Sequence, residues 1–343
     1  MATMLGLSGG CLKRTLLSSC LYLGILGNLS LQSAKADKWE QMIDRAERLH
    51  EEHHFTEART ILLSALEDAS KHQKPEYRLA YTFNNLGAVA QDAGRYFEAE
   101  KYYRESITYW QGAGERARLG LARTLNNLAT LLDSGGKLAE AQELLRRSEA
   151  ILIERRGLDD PAISVVLLNR GNAYFKQRRY TEAEKAYRHA WAVLEPHRES
   201  RELEIARLAN DLGLVCEKTG RKGEAQLQYS LARGIWEKQL RSGKATPEIF
   251  MDLGGLYSIL RQDLLAKRVL QQGLVVAERE LGLRHPRVAD MLFLYARVLR
   301  QTGSRAEAAR IAKQAKAIQR DSQEHLARHT IAFADLLREE RRK

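Results

Sequence analysis

An all-α protein built as a solenoid of seven helical hairpins is the fold class that this 343-residue sequence predicts. Three observations carry that expectation. Seven alanines, Ala58, Ala99, Ala141, Ala183, Ala225, Ala266 and Ala308, recur at intervals of 41 or 42 residues. Twelve residues before each stands Ala46, Gly87, Ala129, Gly171, Gly213, Gly254 or Ala296, and seven after it stands Ala65, Ser106, Ser148, Ala190, Ala232, Gly273 or Ala315. Every one of these places holds Ala, Gly or Ser. Such a period marks stacked repeats, in which each unit buries its apolar face only with neighbours on both sides.

The chain opens with 36 residues that hold Lys13, Arg14 and Lys35 but no acid, a mostly apolar run from Leu16 to Leu31, and the ending Ser33-Ala34-Lys35-Ala36. A basic start, an apolar middle and an Ala-x-Ala end predict a secretory signal peptide cleaved after Ala36, and so an exported protein, periplasmic or secreted, that begins at Asp37. Leu17-Ser18-Ser19-Cys20 has the look of a lipoprotein box, but only five residues separate Arg14 from Cys20, too few for an apolar segment. An anchor through residues 15–31 and a mitochondrial presequence are the alternatives. Ser and Asn make the run marginal as a spanning helix, and a presequence would carry more arginine.

Residues 37–320 then read as seven units. In the second, Phe83, Leu86, Gly87 and Ala90 lie at i, i+3, i+4 and i+7, and after Gly94 the residues Ala99, Tyr103 and Ser106 share a second helical stripe. Gly94 is placed to end the first helix because it adopts positive φ freely. Gly136, Gly220 and Gly303 hold the same place in other units, and His53, Arg178 and Arg261 hold it in the rest. Close approach of the two helices needs a residue of almost no volume at the crossing, which the sequence supplies as Gly87 facing Ala99. Beyond the array, Leu326, Phe333 and Leu337 in the segment 321–343 predict a capping helix with a frayed, basic end.

On these residues the chain resembles the tetratricopeptide repeat family, whose unit has small residues at its eighth, twentieth and twenty-seventh positions, filled here by Gly87, Ala99 and Ser106. Asn85-Leu86-Gly87, Glu98-Ala99 and Tyr103, with Asp211-Leu212-Gly213, Glu224-Ala225 and Tyr229, are similar to the same pattern. The 42-residue period, the Asn-Asn-Leu steps at 84–86 and 126–128, and the segments Gly157-Leu-Asp-Asp-Pro161 and Gly282-Leu-Arg-His-Pro286 resemble the longer kinesin-light-chain type. The likeness covers about residues 38–320. It implies a right-handed superhelix and says little of function. Arg45 and Arg170 replace the usual Leu before the small residue, and Lys222, Asp263 and Arg305 replace the usual aromatic after the turn. Units with these changes are expected to pack more loosely.

Lys and Arg number 55 against 44 Asp and Glu, a net charge of +11, of which the leader holds three basic residues. The charges alternate along helix faces, as in Arg198-Glu-Ser-Arg-Glu-Leu-Glu204, which is the pattern of a solvated surface. No aromatic residues interleave with a basic stripe, so no nucleic-acid partner is expected. Cys11 and Cys20 leave with the leader, and Cys216 holds a repeat place filled elsewhere by Leu132, Tyr174, Tyr257 and Leu299, the mark of a buried apolar role.

One literal catalytic pattern exists. His50-Glu51-Glu52-His53-His54 matches a zinc-peptidase helix, with His50 and His54 as ligands and Glu51 as general base. In the repeat frame, however, His53 stands at the hairpin turn, so the helix should end between the two ligands. The expectation is a polar turn, no metal, no cofactor and no enzymatic activity, with the peptidase as the alternative from a different class. An organellar or cytosolic assembly factor is a third reading.

The residue two before each crossing residue reads Asp44, Asn85, Asn127, Asn169, Asp211, Asp252 and Leu294. Around it on the same helix face lie Tyr81 and Asn84 in unit two, Arg123 and Asn126 in unit three, Asn172 in unit four, and Arg207 and Asn210 in unit five. The family resemblance places that face on the concave side of the superhelix. Asparagine both donates and accepts, which suits holding the main chain of an extended peptide, and Arg123 and Arg207 could select a carboxylate. The expected partner is a protein or peptide in this groove, with no stable membrane insertion once the leader is cut. The competing reading has the asparagines bond to one another between units and stiffen the array. The carboxylate clamp of related modules is not reproduced, because Val165 and Leu168 interrupt the polar face and Ala88 replaces a residue that it needs.

Overall fold

The structure, a computed structural model, describes residues 37–320; the predicted signal peptide and the predicted capping helix lie outside the described residues. The described residues form fourteen helices and no strand, paired as hairpins α1 (Lys38–Glu51) and α2 (Phe55–Ser70), α3 (Glu76–Asp92) and α4 (Tyr96–Gly112), α5 (Arg118–Ser134) and α6 (Leu138–Arg156), α7 (Ala162–Lys176) and α8 (Tyr180–Leu194), α9 (Glu202–Lys218) and α10 (Lys222–Arg241), α11 (Pro247–Ile259) and α12 (Asp263–Leu281), and α13 (Pro286–Gln301) with α14 over 305–320. Each helix packs on the next, and α3, α5, α7 and α9 also touch in succession, as do α11 and α13. Contact between successive odd-numbered helices marks theirs as the inner layer of the array.

The seven hairpin turns share one geometry. Gly94, Gly136, Gly220 and Gly303 have φ between 75° and 85°, and His53, Arg178 and Arg261 adopt φ of 63°, 60° and 59° at the equivalent place. In every turn the following N–H reaches the carbonyl five residues back, as from Arg95 to Ala90 at 2.7 Å and from Arg179 to Tyr174 at 3.0 Å, which closes the end of the first helix. The three non-glycine residues accept a left-handed backbone that costs about 1–2 kcal/mol, because the turn is over-determined by the packing on either side.

The crossing residues have a tighter cause than the sequence suggests. A Cβ on Gly87 would lie 2.5 Å from the ring of Tyr103, sixteen residues on, and none of its nearest atoms belongs to Ala99. Gly171 stands 2.3 Å from Tyr187 by the same measure, Gly213 2.5 Å from Tyr229, and Gly254 2.6 Å from Leu270. Where the crossing residue is Ala46 or Ala129, the residue sixteen later is Leu62 or Leu145, both buried. Size is thus traded across the crossing in units one to five, where Gly takes a tyrosine and Ala a leucine; Gly254 with Leu270 and Ala296 with Ala312 in the last two units are smaller pairs. In the third small-residue series, the Ser106 and Ser148 hydroxyls donate to the carbonyls of Ala80 and Ala122, each at 2.7 Å, so these serines tie the second helix to the first. Cys216 is buried at 2 % exposure, as its repeat place implies. At Arg170, where looser packing is expected, the guanidinium pairs with the buried carboxylate of Glu149.

One contact has no counterpart in the repeat pattern. The start of α13 returns to the first two units: His285, the N-cap of α13, accepts from the Arg287 N–H at 3.1 Å through Nδ1 and donates from Nε2 to the carbonyl of Asp92. Arg287 bonds the Asp92 carboxylate at 2.9 Å and also Glu248, and His50 meets the other Asp92 oxygen at 2.9 Å. Phe55 stacks on His285 with ring centroids 6.0 Å apart, and a Cβ on Gly94 would stand 2.3 Å from Pro286. Burial opposes ionisation of Asp92, yet the His50 hydrogen bond and the Arg287 charge hold its carboxyl below the ordinary range. Desolvation keeps His285 below the usual imidazole value and therefore neutral, as its paired acceptor and donor roles require.

The size trade is testable in unit two. Gly87→Ala alone should lower stability by about 1–3 kcal/mol, whereas Gly87→Ala with Tyr103→Leu, which copies the Ala129 and Leu145 pair, should recover most of the loss in urea unfolding.

Candidate functional site

The inner face of α3 to α11 carries the residues singled out in the sequence, and hydrogen bonds connect many of them. The Asn85 amide and the Tyr81 hydroxyl both donate to Glu47 at 2.9 Å. Asn84 donates to Asn85 at 3.3 Å and accepts from Thr124 at 3.0 Å and from Asn127 at 3.2 Å. One unit later, Asn169 donates to Asn126 at 2.9 Å and to Thr130 at 3.2 Å. A rule follows: the residue two before the crossing in one unit donates to the residue three before it in the preceding unit. Asn127 and Asn169 are engaged between units in this way, the geometry of a stiffening ladder.

The ladder stops between units four and five. The next step would run from residue 211 to residue 168, but these are Asp211 and Leu168, which offer neither the donor nor the acceptor. Among the described residues, Asp211 has one hydrogen bond, from the Asn210 amide at 3.4 Å, and the Asn210 carbonyl oxygen is buried without a partner. Desolvation, with the neighbouring Asp252 charge, pushes the Asp211 carboxyl up to about 7. Burial also raises Asp252, against the pull of Arg207 at 3.6 Å.

At this break the inner face holds a cavity of 280 Å³ lined by Thr130, Asp133, Asn172, Phe175, Asp211 and Leu214 among others. Its hydrogen-bonding capacity is only partly used. Asn172 accepts from the Tyr187 hydroxyl at 2.7 Å, and its own amide hydrogens have no protein partner among the described residues. Asp133 pairs with Lys176 through one oxygen and leaves the other buried and unpartnered.

The two arginines expected to favour an anion are differently placed. Arg123 lies over the Tyr81 ring, 4.9 Å from its centroid, with its Nε buried and unpartnered, and Arg207 neutralises Asp252. Burial, with Glu47 and against Arg123, raises the Tyr81 phenol to about 12, so it stays a donor. The zinc-peptidase pattern falls on two elements: α1 ends at Glu51, His53 takes the left-handed turn, His50 binds Asp92, and His54 meets Glu57 at 3.3 Å. A continuous helix presenting both imidazoles on one face is therefore not formed. Among the described residues no group of three or more His, Cys, Asp or Glu is placed to hold a metal ion.

Sequence reasoning found this face but missed its break, although the signal is present as Leu168 with Asp211, a coupled change at a fixed offset of 43 residues. Because the fold prefers the protonated form of Asp211, its contribution to stability is full below the ordinary carboxyl value of 3.8 and is lost as pH rises through about 7. Asp211→Asn should therefore raise the Tm by a few degrees at pH 8, with a gain that shrinks toward pH 4.

A family model described as tetratricopeptide repeat matches residues 78–154 and 163–238. No curated protein matches the chain in sequence. Among solved structures, the apo form of RapI is 13% identical with a TM-score of 0.62, covering 84% of this chain and 99% of that one. The Rap conjugation gene regulator of the plasmid pLS20, in complex with the Phr* peptide, is 14% identical with a TM-score of 0.63, covering 83% of this chain and 74% of that one. Nearly identical repeats of a putative kinesin light chain of Podosopora anserina give 22% identity over 62% of this chain and 100% of that one, with a TM-score of 0.42. Over residues 78–154 and 163–238 the chain matches the tetratricopeptide repeat family, and its hairpins and crossing residues continue the same repeat through the described residues.

Proposed function

We propose that this chain is a non-enzymatic binding protein that holds a segment of another protein, or an extended peptide, on its inner face between α5 and α9. The observation that carries the reading is the 280 Å³ cavity at the break of the ladder, where Asn172 and Asp211 keep hydrogen-bonding capacity that no neighbouring unit satisfies. Elsewhere along the ladder the asparagines are engaged, so contact with a partner concentrates at units three to five. The Rap conjugation gene regulator of pLS20, a protein of the same fold, is complexed with a peptide, which supports a peptide as the occupant here.

The reading is tested by selecting peptides from a displayed random dodecamer library on the full chain. Asn172→Trp, which fills the cavity, should weaken the selected peptides by about tenfold or more, while Arg146→Ala on the exposed surface of α6 should leave them unchanged. Equal binding to the Trp variant would contradict the site.

The same proposal places the protein outside the cytoplasm after removal of residues 1–36. Asp37 serves as the N-cap of α1 in a capping box with Glu40, so the helical array can begin at the expected cut. N-terminal sequencing of the protein from expressing cells should read Asp37-Lys38-Trp39; a start at Met1 would remove the export reading.

A further inference from the structure

We propose that the cavity between α5, α7 and α9 is a subsite for a cationic side chain, arginine or lysine, carried by the segment bound in the groove. This rests on the groove-binding reading and adds to it the chemistry of one contact.

The argument starts from the ladder. Two successive steps, Asn127 to Asn84 and Asn169 to Asn126, use an amide donor and an amide acceptor. At the third step a carboxylate faces a leucine, so Asp211 is an acceptor with no donor where its predecessors are donors with an acceptor. Its neighbours do not complete it. The Asn210 amide reaches it at 3.4 Å, at the long end of hydrogen bonding, and Arg207, whose charge also acts on Asp211, is drawn to Asp252 at 3.6 Å. Arg207 can offset one carboxylate of this group, and the Asp211–Asp252 pair holds two.

The opposite wall repeats the shortage. Asp133 is balanced in charge by Lys176, but its second oxygen is buried without a donor. The cavity lining therefore holds a carboxylate on each wall, Asp133 and Asp211, against the single cation Lys176, and Asp211 is left as the net negative charge once the Asp133–Lys176 pair is cancelled. Phe175 and Leu214 add apolar surface, which suits the methylene stem that carries a guanidinium or ammonium group. An incoming carboxylate would meet Asp133 and Asp211 in the cavity lining, where the one cation, Lys176, is already paired with Asp133, so the anion preference expected from Arg123 and Arg207 does not extend to this place. Asn172 remains free to donate to a carbonyl of the ligand main chain. The elevated Asp211 carboxyl agrees with a group waiting for a counter-charge.

The test uses the full chain and immobilised pools of acetylated, amidated nonapeptides, randomised at all positions but one, which is fixed as Arg, Lys, Gln or Glu. Wild-type protein should be retained about tenfold more by the Arg or Lys pools than by the Gln or Glu pools. Asp211→Asn, checked for unchanged helical circular dichroism, should bind the pools without that preference. Leu214→Lys, which supplies an ammonium group within the chain beside Asp211, should abolish it as well. Retention of all pools alike by wild type would overturn the subsite and leave the groove reading standing. A preference that survives both substitutions would also overturn the subsite. Retention of no pool would overturn the groove reading and the subsite with it.

Discussion

Everything in this array depends on how closely the two helices of a hairpin can cross. At the crossing one helix presents a bare Cα or a methyl group, and in the first six units the other lays a tyrosine or leucine over it. The reciprocal sizes, Gly87 with Tyr103 and Ala129 with Leu145, let the helices approach closely in units of different sequence. A repeated close crossing gives a repeated angle, and a repeated angle gives a superhelix with a continuous inner face. The tyrosines have a second effect, because their hydroxyls reach Gln91, Asn172 and Glu217 and so connect the core to that face.

The inner face is polar, but most of its polarity is internal. Amide donors and acceptors on successive inner helices satisfy one another, which holds adjacent units in register and leaves little for a partner. Function therefore concentrates where the pairing fails. The unit-four and unit-five junction is such a place: a carboxylate is retained there at a cost in stability, beside a cavity and without a counter-charge. A stiff scaffold with one unsatisfied position fits the broader pattern in which local violations of packing and pairing rules mark binding sites. The contact of α13 with Asp92 and Gly94 adds a second kind of stiffness, since it joins the seventh unit to the first two across the turn of the superhelix.

The repeat frame was legible because it is local and periodic. Small residues at three offsets located the helices, and the frame alone placed His53, Arg178 and Arg261 at left-handed turns, where nothing in their side chains announces it. The same frame broke the apparent zinc motif, since a turn at His53 cannot lie inside a helix. The partner of each crossing residue was readable only as a covariation at sixteen residues, which pairing Gly87 with Ala99 overlooked. On the inner face, the sequence identified the residues without deciding whether they face a ligand or one another, because that depends on side-chain direction between units. The return of α13 left no local trace: Asp92 and Arg287 are separated by 195 positions, and only the accumulated turn of six hairpins brings them together.

Hydrogen–deuterium exchange on the full chain, with and without an arginine-containing peptide selected from the nonapeptide pools, tests the central claim most directly. Protection confined to the inner helices over 123–134, 165–176 and 207–218, with the outer helices α6, α8 and α10 unchanged, is the expected result. Protection centred on those outer helices instead would contradict it.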